Sequence, residues 1–402
     1  MDYIKITLKP KKEESILRFH PWIFSGAIQK IQGNPKEGDI VEIYTSNNEY
    51  CGTGHYQIGS IAVRIFSFER TIPDFIFWKN KIEKAYQLRL ALGLAGCPEN
   101  NTYRLVHGEG DSMPGLIVDV YDQTAVMQAH SVGVHTIRIE LANAIVDVLG
   151  IQHVYYKSET TLPFKANLNP KDEYLIGKGA PIHGVTLSHP VNMAIENGLK
   201  FHVDWLKGQK TGFFTDQRDN RSLLEKYSNG RSVLNMFCYT GGFSFYAMRG
   251  GAKIVHSVDS SAKAIELTKQ NVELNFPDDK RHEAYATDAF RYLEEMKEEY
   301  DLIILDPPAF AKHRDVLRNA LQGYKKLNAK AFEKIKPGGI LFTFSCSQAV
   351  SKEQFRLTVF SAAVMSGRNI RILHQLTQPA DHPVNIYHPE GEYLKGLVLY
   401  VE

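Results

Sequence analysis

Cys346 stands in Phe344-Ser345-Cys346-Ser347, directly after the apolar run ILFTFS (340–345). Asp306 closes a second run, YDLIILD (300–306), and leads into Pro307-Pro308-Ala309-Phe310. Two strands ending this way would bring a thiol and a carboxylate to one edge of a sheet, where a cysteine faces a cleft instead of a core. The plain alternative for any free cysteine is a buried, inert thiol. Asp259 closes IVHSVD (254–259), 17 residues after Gly242, and Asp288 follows the next predicted strand in ATDAF. A carboxylate at the first position can accept both hydroxyls of a ribose, and one at the second can bind an exocyclic amine. Any single one of them is more often a helix cap. Three in this order point to a nucleoside ligand.

The elements that must position these groups alternate strand and helix after about Lys210. VLNMF (233–237) runs into Cys238-Tyr239-Thr240-Gly241-Gly242-Phe243 and then an apolar helix. A glycine pair at that turn lets the backbone approach a ligand closely, although the GxGxxG spacing of a dinucleotide site is absent. Ser260 to about Asn275 reads as a helix with Ile265, Thr268 and Val272 inward. Such alternation predicts an α/β doubly wound, mostly parallel sheet with its ligand at the C-terminal strand ends.

Upstream the rhythm differs. IVEIYT (40–45) and IAVRIFSF (61–68) read as short strands, with Gly52, Gly54 and Gly59 punctuating their connection, so residues 1–73 form a small all-β module. Trp22 and Phe24 in HPWIF read as core. From Asp74 a helix carries Phe77, Ile82, Ala85, Leu88 and Leu92 until Gly93 and Gly96 stop it. GLIVDVY (115–121), TAVMQAH (124–130), a helix over about 134–149, VYYKSE (154–159) and KFHVDW (200–205) make residues 74–209 an α+β middle domain with mostly antiparallel sheet. Residues 210–402 form the α/β domain.

With 402 residues, 43% hydrophobic and 23% charged, the chain is long enough for two or three cores and is neither collagen-like nor disordered. A net charge of +2 excludes a uniformly basic coat for nucleic acid but not a local patch. Residues 312–336 hold eight Lys or Arg against two acids, whereas residues 278–301 hold nine acids against four bases. Cys51, Cys97, Cys238 and Cys346 form no CxxC pair, which argues against a disulfide framework or zinc site and suits a reducing cytoplasm. No apolar run approaches a membrane span, and the N-terminus lacks a signal-peptide core. His107, His313, His382 and His388 lack metal-ligand spacing and read as loop or RNA-contact residues, so no metal is expected.

NMFCYTGGFSFYAMRGGA, SVDSSAKAIELTKQNVELN, LDPPAF and FTFSCS resemble the successive motifs of class I S-adenosylmethionine-dependent methyltransferases with a Rossmann-like fold. More closely, the chain resembles the bacterial large-subunit rRNA cytosine-C5 methyltransferase I family. RFHPWIFSGAI resembles that family's PUA RNA-binding module and RLVHGEGDSMPGLIVDVY its central domain. KTGFFTDQRDNR (210–221) and ADHPVNIYHPEGEYLKG (380–396) extend the likeness over nearly the whole chain. The resemblance implies that Asn235, Phe237, Tyr239, Gly241 and Gly242 hold the methionine part of S-adenosylmethionine. Asp259 with Ser260 would take the ribose, Asp288 with Ala289 the adenine, and Phe214 and Gln217 would close over the cofactor near Asp306 and Pro307. An acidic residue usually opens the first motif of the wider class, and here Asn235, Phe237 and Tyr239 take the early positions. A homodimer is also suggested by the family.

By the same resemblance the product is 5-methylcytosine in large-subunit (23S) rRNA. Cytosine C5 is a poor nucleophile until a thiolate adds to C6, which assigns Cys346 as nucleophile and Asp306 as the acid at the N3 edge. Pro308 and Phe310 would present or stack the base, and Lys312, Arg314, Lys325, Lys326 and His382 would contact RNA. Ala309 stands where many cytosine-C5 RNA methyltransferases carry a second cysteine, so the base for the C5 proton is unassigned. Asp-Pro-Pro before an aromatic is also similar to the loop of exocyclic-amine methyltransferases acting on adenine or guanine, which need no cysteine. A non-catalytic RNA-binding protein with a degenerate methyltransferase fold is a third possibility.

Overall fold

The computed structural model describes residues 3–163, 168–177, 193–297, 299–311 and 316–402; Lys312, His313 and Arg314 lie outside the described residues. The chain divides into two compact units. The first is Met1–Gly198 with Val203–Thr215 and Ala380–Gly391; the second is Leu199–His202 with Asp216–Pro379 and Glu392–Glu402.

The first unit opens with a six-stranded sheet of β1 (Ile4–Leu8), β2 (Trp22–Phe24), β3 (Ile28–Ile31), β4 (Ile40–Tyr44), β5 (Tyr50–Tyr56) and β6 (Ile61–Ser67), in the order β2-β6-β5-β4-β1-β3. Ile6, Leu8, Ile23, Val41, Ile43, Val63 and Ile65 form its core. Gly52 and Gly54 are not turn residues. They lie inside β5, where a Cβ on Gly54 would come within 2.4 Å of the Arg64 carbonyl oxygen. Close backbone approach, not chain reversal, demands them. Phe24 is exposed and Trp22 half-buried, with the indole N–H donating to Glu109 at 2.7 Å, so neither is plain core.

A second sheet follows, of β7 (Thr102–His107), β8 (Leu116–Tyr121), β9 (Thr124–Ala129), β10 (His153–Tyr156) and β11 (Glu173–Ile176), in the order β11-β10-β9-β8-β7. Only β9 and β10 run parallel, as a mostly antiparallel α+β layer requires. The helices Phe75–Ala91 and Arg138–Leu149 share its core, the first capped by Asp74 and the second stopped by Gly150 at φ +68°. Leu88 and Leu92, which continue the apolar spacing in sequence, are exposed. Arg89 takes the inward position instead.

Arg89 is fully buried. Its guanidinium meets both oxygens of Asp111 (2.5 and 2.8 Å) and donates to the carbonyls of Arg104 and Asp381 (2.7 and 2.8 Å). Asp381 in turn accepts from the Arg104 backbone N–H at 2.9 Å, so this network ties the 380–391 segment into the unit. β12 (Met193–Glu196) is the last strand of the first unit.

In the second unit, β13 (Leu199–His202) precedes a seven-stranded sheet. Its strands are β14 (Ser232–Met236), β15 (Ile254–Asp259), β16 (His282–Ala286), β17 (Leu302–Leu305), β18 (Gly339–Ser345), β19 (Ile370–Leu376) and β20 (Lys395–Val401), in the order β16-β15-β14-β17-β18-β20-β19. The first five are mutually parallel; β20 is antiparallel to both β18 and β19, so it alone runs against the others. β17 and β18 are buried along their whole length, as parallel strands covered on both faces must be. Leu234 and Met236 share one core with Tyr324, Phe332 and Phe355 of the helices Leu317–Lys334 and Lys352–Ser366. The order in which the chain adds strands reverses at β14, from β15 and β16 on one side to β17 and β18 on the other, which places a crevice outside the ends of β14 and β17. No helix among the described residues is long and apolar enough to cross a membrane.

Arg89→Met leaves Asp111 as a buried charge without its counter-ion, a change that costs about 3–5 kcal/mol in comparable pairs. A clear drop in the denaturation midpoint of the full chain is expected, partly restored when Asp111→Leu is added; an unchanged midpoint would show that the pair carries no such weight.

Candidate active site

β14 ends in a loop whose conformation is unusual for its residues. Phe237 (φ +58°), Tyr239 (φ +49°) and Gly241 (φ +87°) all occupy the left-handed region, alternating with Cys238 and Thr240. Two of the three carry side chains, and such positions persist only where surroundings enforce them. The enforcement is visible. Cys238 N–H donates to the Val258 carbonyl (3.0 Å), Tyr239 N–H to the Asp259 carboxylate (3.0 Å), and Gly241 N–H to the Cys238 carbonyl (2.8 Å). From the helix Ala262–Asn275, Thr268 donates to the Tyr239 carbonyl at 2.9 Å and Asn271 to the Thr240 carbonyl at 3.4 Å. The sequence marks Thr268 only as inward-facing and gives no role to Asn271. Asn271 and Asn275, one helical turn apart, also hold β13 by its backbone at His202 and Lys200.

Asp259 is half-buried at the end of β15, and its other oxygen accepts from Ser261 N–H at 2.9 Å. Each carboxylate oxygen keeps acceptor capacity beyond these bonds, so the pair of ribose hydroxyls fits it. Asp288 is exposed and caps the helix Ala289–Glu295 by accepting from Arg291 N–H at 3.0 Å, with Ala289 buried behind it. Ser260 is exposed beside Asp259. Asn235 is fully buried in mid-strand, facing Ser257 across the sheet. It donates to Ser244 (2.9 Å), in a chain that continues to Ser257 (2.6 Å) and His282 (2.8 Å). Its side chain supports the loop from beneath the sheet.

Asp306 leaves β17 between this loop and β18, since Leu305 pairs with Met236 on one side and Thr343 on the other. Burial first, and then the negative charge of Asp216, push its carboxyl up to about 7; a hydrogen bond from Gln217 and the charge of Arg221 oppose the rise. Gln217 is buried and also accepts from Asn220 at 2.6 Å. Asp216 and Arg221 are the neighbours that the sequence does not single out. Arg221 reaches Gly242, where a Cβ would lie 3.1 Å from its Cδ.

Cys346 emerges one residue beyond β18 and is partly exposed. Cys238, in contrast, is buried inside the loop after β14, and burial together with Asp259 raises its thiol far above the ordinary value. Cys51 is buried, with its thiol also raised by burial, and Cys97 hydrogen-bonds the Gly93 carbonyl. The Cys346 turn is fastened to the Asp-Pro-Pro loop by Ser347, which donates to the Ala311 carbonyl at 2.6 Å, and to Tyr324 through Ser345 at 3.0 Å. Pro307 is buried and Pro308 exposed. Phe310 packs on Tyr324 with ring centroids 4.6 Å apart and lies against Gly323, so it anchors its own loop.

Four further expected site residues lie on other elements of the chain. Lys325 is half-exposed and Lys326 exposed on the helix Leu317–Lys334. Phe214 belongs to the first unit, as does His382, which is buried beside Asp381 (3.0 Å) and His107. His20, His388 and Glu390 form one group of possible metal-ligand atoms among the described residues. Trp22 N–H donates to His20 Nδ1 at 3.2 Å, and Nε2 of the same ring lies 3.5 Å from the Glu390 carboxylate.

Residues 185–386 match the model of an S-adenosylmethionine-dependent methyltransferase family, and residues 6–68 a PUA-like domain. A protein of Aeromonas hydrophila named ribosomal RNA large subunit methyltransferase I is 40% identical over 98% of both chains. One of the same name from Tolumonas auensis is 39% identical over 98% of both. The chain belongs to the large subunit methyltransferase I family. It is an S-adenosylmethionine-dependent methyltransferase with a PUA-like N-terminal domain and a Rossmann-like sheet. A methyltransferase structure from Streptococcus mutans shares the fold at a TM-score of 0.82 and 23% identity, covering 99% of this chain and all of the other. A second methyltransferase structure, complexed with S-adenosylhomocysteine, matches at 0.83 and 24% over the same spans.

For a methyltransferase of this family the strained loop is the sensitive point. A Cβ at Gly241 would lie 2.7 Å from both Phe245 and Thr268, at a φ that L-residues resist. Gly241→Ala is expected to weaken S-adenosylhomocysteine binding at least about tenfold in calorimetry, and Gly242→Ala less, because Arg221 can yield. Equal affinities for the two variants and the wild type would separate this loop from the cofactor.

Proposed function

We propose that this chain methylates C5 of a cytosine in large-subunit ribosomal RNA, with Cys346 as nucleophile and Asp306 as acid. The relatives' names supply the RNA. The observation that carries the chemistry is the pairing of an accessible thiol at the end of β18 with a carboxyl at the end of adjacent β17 whose titration is pushed up to about 7. The loop after β14 and Asp259 would hold S-adenosylmethionine, with Asp288 at the adenine through the oxygen not used for capping. Bound there, it supplies an electrophilic methyl group.

The chain's own residues would do the rest. Cys346 thiolate adds to C6, and neutral Asp306 gives a hydrogen bond or proton at N3, so electron density moves to C5. After transfer solvent takes the C5 proton, the electron pair of that bond re-forms the C5–C6 double bond as the Cys346–C6 bond breaks, the thiolate leaves, and any proton given to N3 returns to Asp306. The exposed cations Arg318 and Lys326, with half-exposed Lys325, offer phosphate contacts on the helix that follows the Asp-Pro-Pro loop. Pro308, exposed beside Asp306, would meet the base. Phe310 supports that loop from behind.

Cys346→Ala is expected to lower turnover by at least about 1,000-fold on rRNA, in keeping with loss of a covalent nucleophile, while S-adenosylhomocysteine affinity stays within about threefold. Retained turnover would favour the exocyclic-amine reaction, and mass spectrometry of the product nucleoside would name the base.

The acid role fixes a sign for pH. Asp306 is neutral below its titration point and ionised above it, so the form that donates at N3 is lost as pH rises. Single-turnover rates should therefore turn down above about pH 7, or somewhat lower once the sulfonium charge is bound, although the thiolate fraction is still rising. Asp306→Asn should be slow and lack that downturn. A wild-type rate climbing steadily to pH 9 would sink the acid assignment.

A further inference from the structure

Lys395 opens β20 and pairs in register with Ser345, the residue before Cys346. Its side chain turns inward. It is buried, and Nζ donates to the carbonyls of Ser347 (2.5 Å) and Val350 (2.7 Å), both in the turn that follows Cys346. Lysine is rarely buried without a carboxylate partner. Among the described residues none pairs with Lys395, and the nearby carboxylate of Glu392 is held by Lys352 at 2.6 Å. An ammonium is thus kept inside the protein by two carbonyl dipoles, beside a thiol.

The electrostatic coupling between the two groups runs in a definite direction. Burial lowers Lys395 to about 8, and the charge of Cys346 acts against that fall. Coupling is reciprocal, so the ammonium favours the Cys346 thiolate by the same amount. Three other described groups around this turn act differently. Tyr324, from the helix Leu317–Lys334, is pushed up to about 12 and stays neutral. Asp306, from β17, is neutral or negative, and Lys352 is engaged with Glu392.

We propose that Lys395 is the positioning residue of the nucleophile: it clamps the Cys346 turn through two carbonyls and holds Cys346 as a thiolate near neutral pH. The inference rests on the reading of Cys346 as nucleophile. It requires no proton transfer to Lys395, which stays an ammonium while the thiol proton leaves to solvent. It also accounts for a buried cation that the cofactor and the acid do not use.

The test reads Cys346 directly. Alkylation by iodoacetamide, mapped by peptide mass spectrometry across pH, gives the thiol's titration point in the full chain. In the wild type it should lie at least one unit below the ordinary thiol value of about 8.5. In Lys395→Met, alkylation at pH 7 should slow by about tenfold and the profile should move up, an opposite charge being worth about one unit or more. Lys395→Arg should stay within about threefold of the wild type, and Cys97 should react alike in all three. Turnover of Lys395→Met should recover toward the wild type as pH rises to 9, which a merely structural defect would not show. A wild-type thiol that titrates at or above 8.5, or an unshifted profile in Lys395→Met, overturns the proposal. If instead Cys346→Ala keeps its turnover, the nucleophile reading fails while the alkylation result still stands on its own.

Discussion

Parallel pairing of β14, β15, β17 and β18 is the constraint on which the site depends. Parallel strands deliver their C-terminal ends to one edge, so residues far apart in sequence leave the sheet side by side. Phe237, Asp259, Asp306 and Cys346 reach that edge without any of them needing to attract another. The strands can hold this arrangement because they are almost wholly apolar and covered on both faces. Two of the polar residues in the sheet, Asn235 and Ser257, are linked in a buried chain with Ser244 and His282. A slip of one residue would expose that chain and turn Leu234 and Met236 out of their core.

Desolvation acts on three titratable groups near this edge, with different results according to depth and company. At Cys238 it makes the thiol inert, because burial is complete and Asp259 adds negative charge. At Asp306 it produces a carboxyl that is still partly protonated near neutral pH, because Gln217 and Arg221 limit the rise. At Lys395 it lowers an ammonium without removing it, because two carbonyls face the charge. One physical cost therefore leaves three different groups: an inert thiol, a carboxyl that titrates near neutral pH and a buried ammonium.

Much of this edge was legible in the sequence because it consists of local signals. Apolar runs of four to seven residues ending in Asp259, Asp306 and Ser345-Cys346 give strand, direction and site together, and Gly241-Gly242 marks the loop. What escaped notice is non-local or depends on facing. Arg89 looks like a surface residue in a helix with Leu88 and Leu92, and only Asp111 and the Asp381 carbonyl make it an interior one. Gly52 and Gly54 look like turn residues because glycine is permissive, yet the Arg64 backbone at 2.4 Å is what selects Gly54 inside a strand. Asn271 and Lys395 are single polar residues whose partners lie 31 and 45 to 48 positions away.

The same distinction bears on charge. A net of +2 hides opposite concentrations in residues 278–301 and 312–336, and sequence alone treats the cations of the second stretch as one patch. The structure sorts the described ones by engagement. Lys330 pairs with Glu333 at 3.3 Å and Lys336 with Asp301 at 3.6 Å, which leaves Arg318 and Lys326 exposed on the same helix. Exposed ion pairs of this kind hold their partners weakly, on the order of 0–1 kcal/mol. A polyanion offers several phosphates at once, so Lys330 and Lys336 can exchange a carboxylate for a phosphate at little cost. Lys395 cannot join them, because its charge is turned inward on the Cys346 turn. Number of cations is therefore a poor guide to the RNA contact proposed here; accessibility and the weakness of existing pairs are the better one.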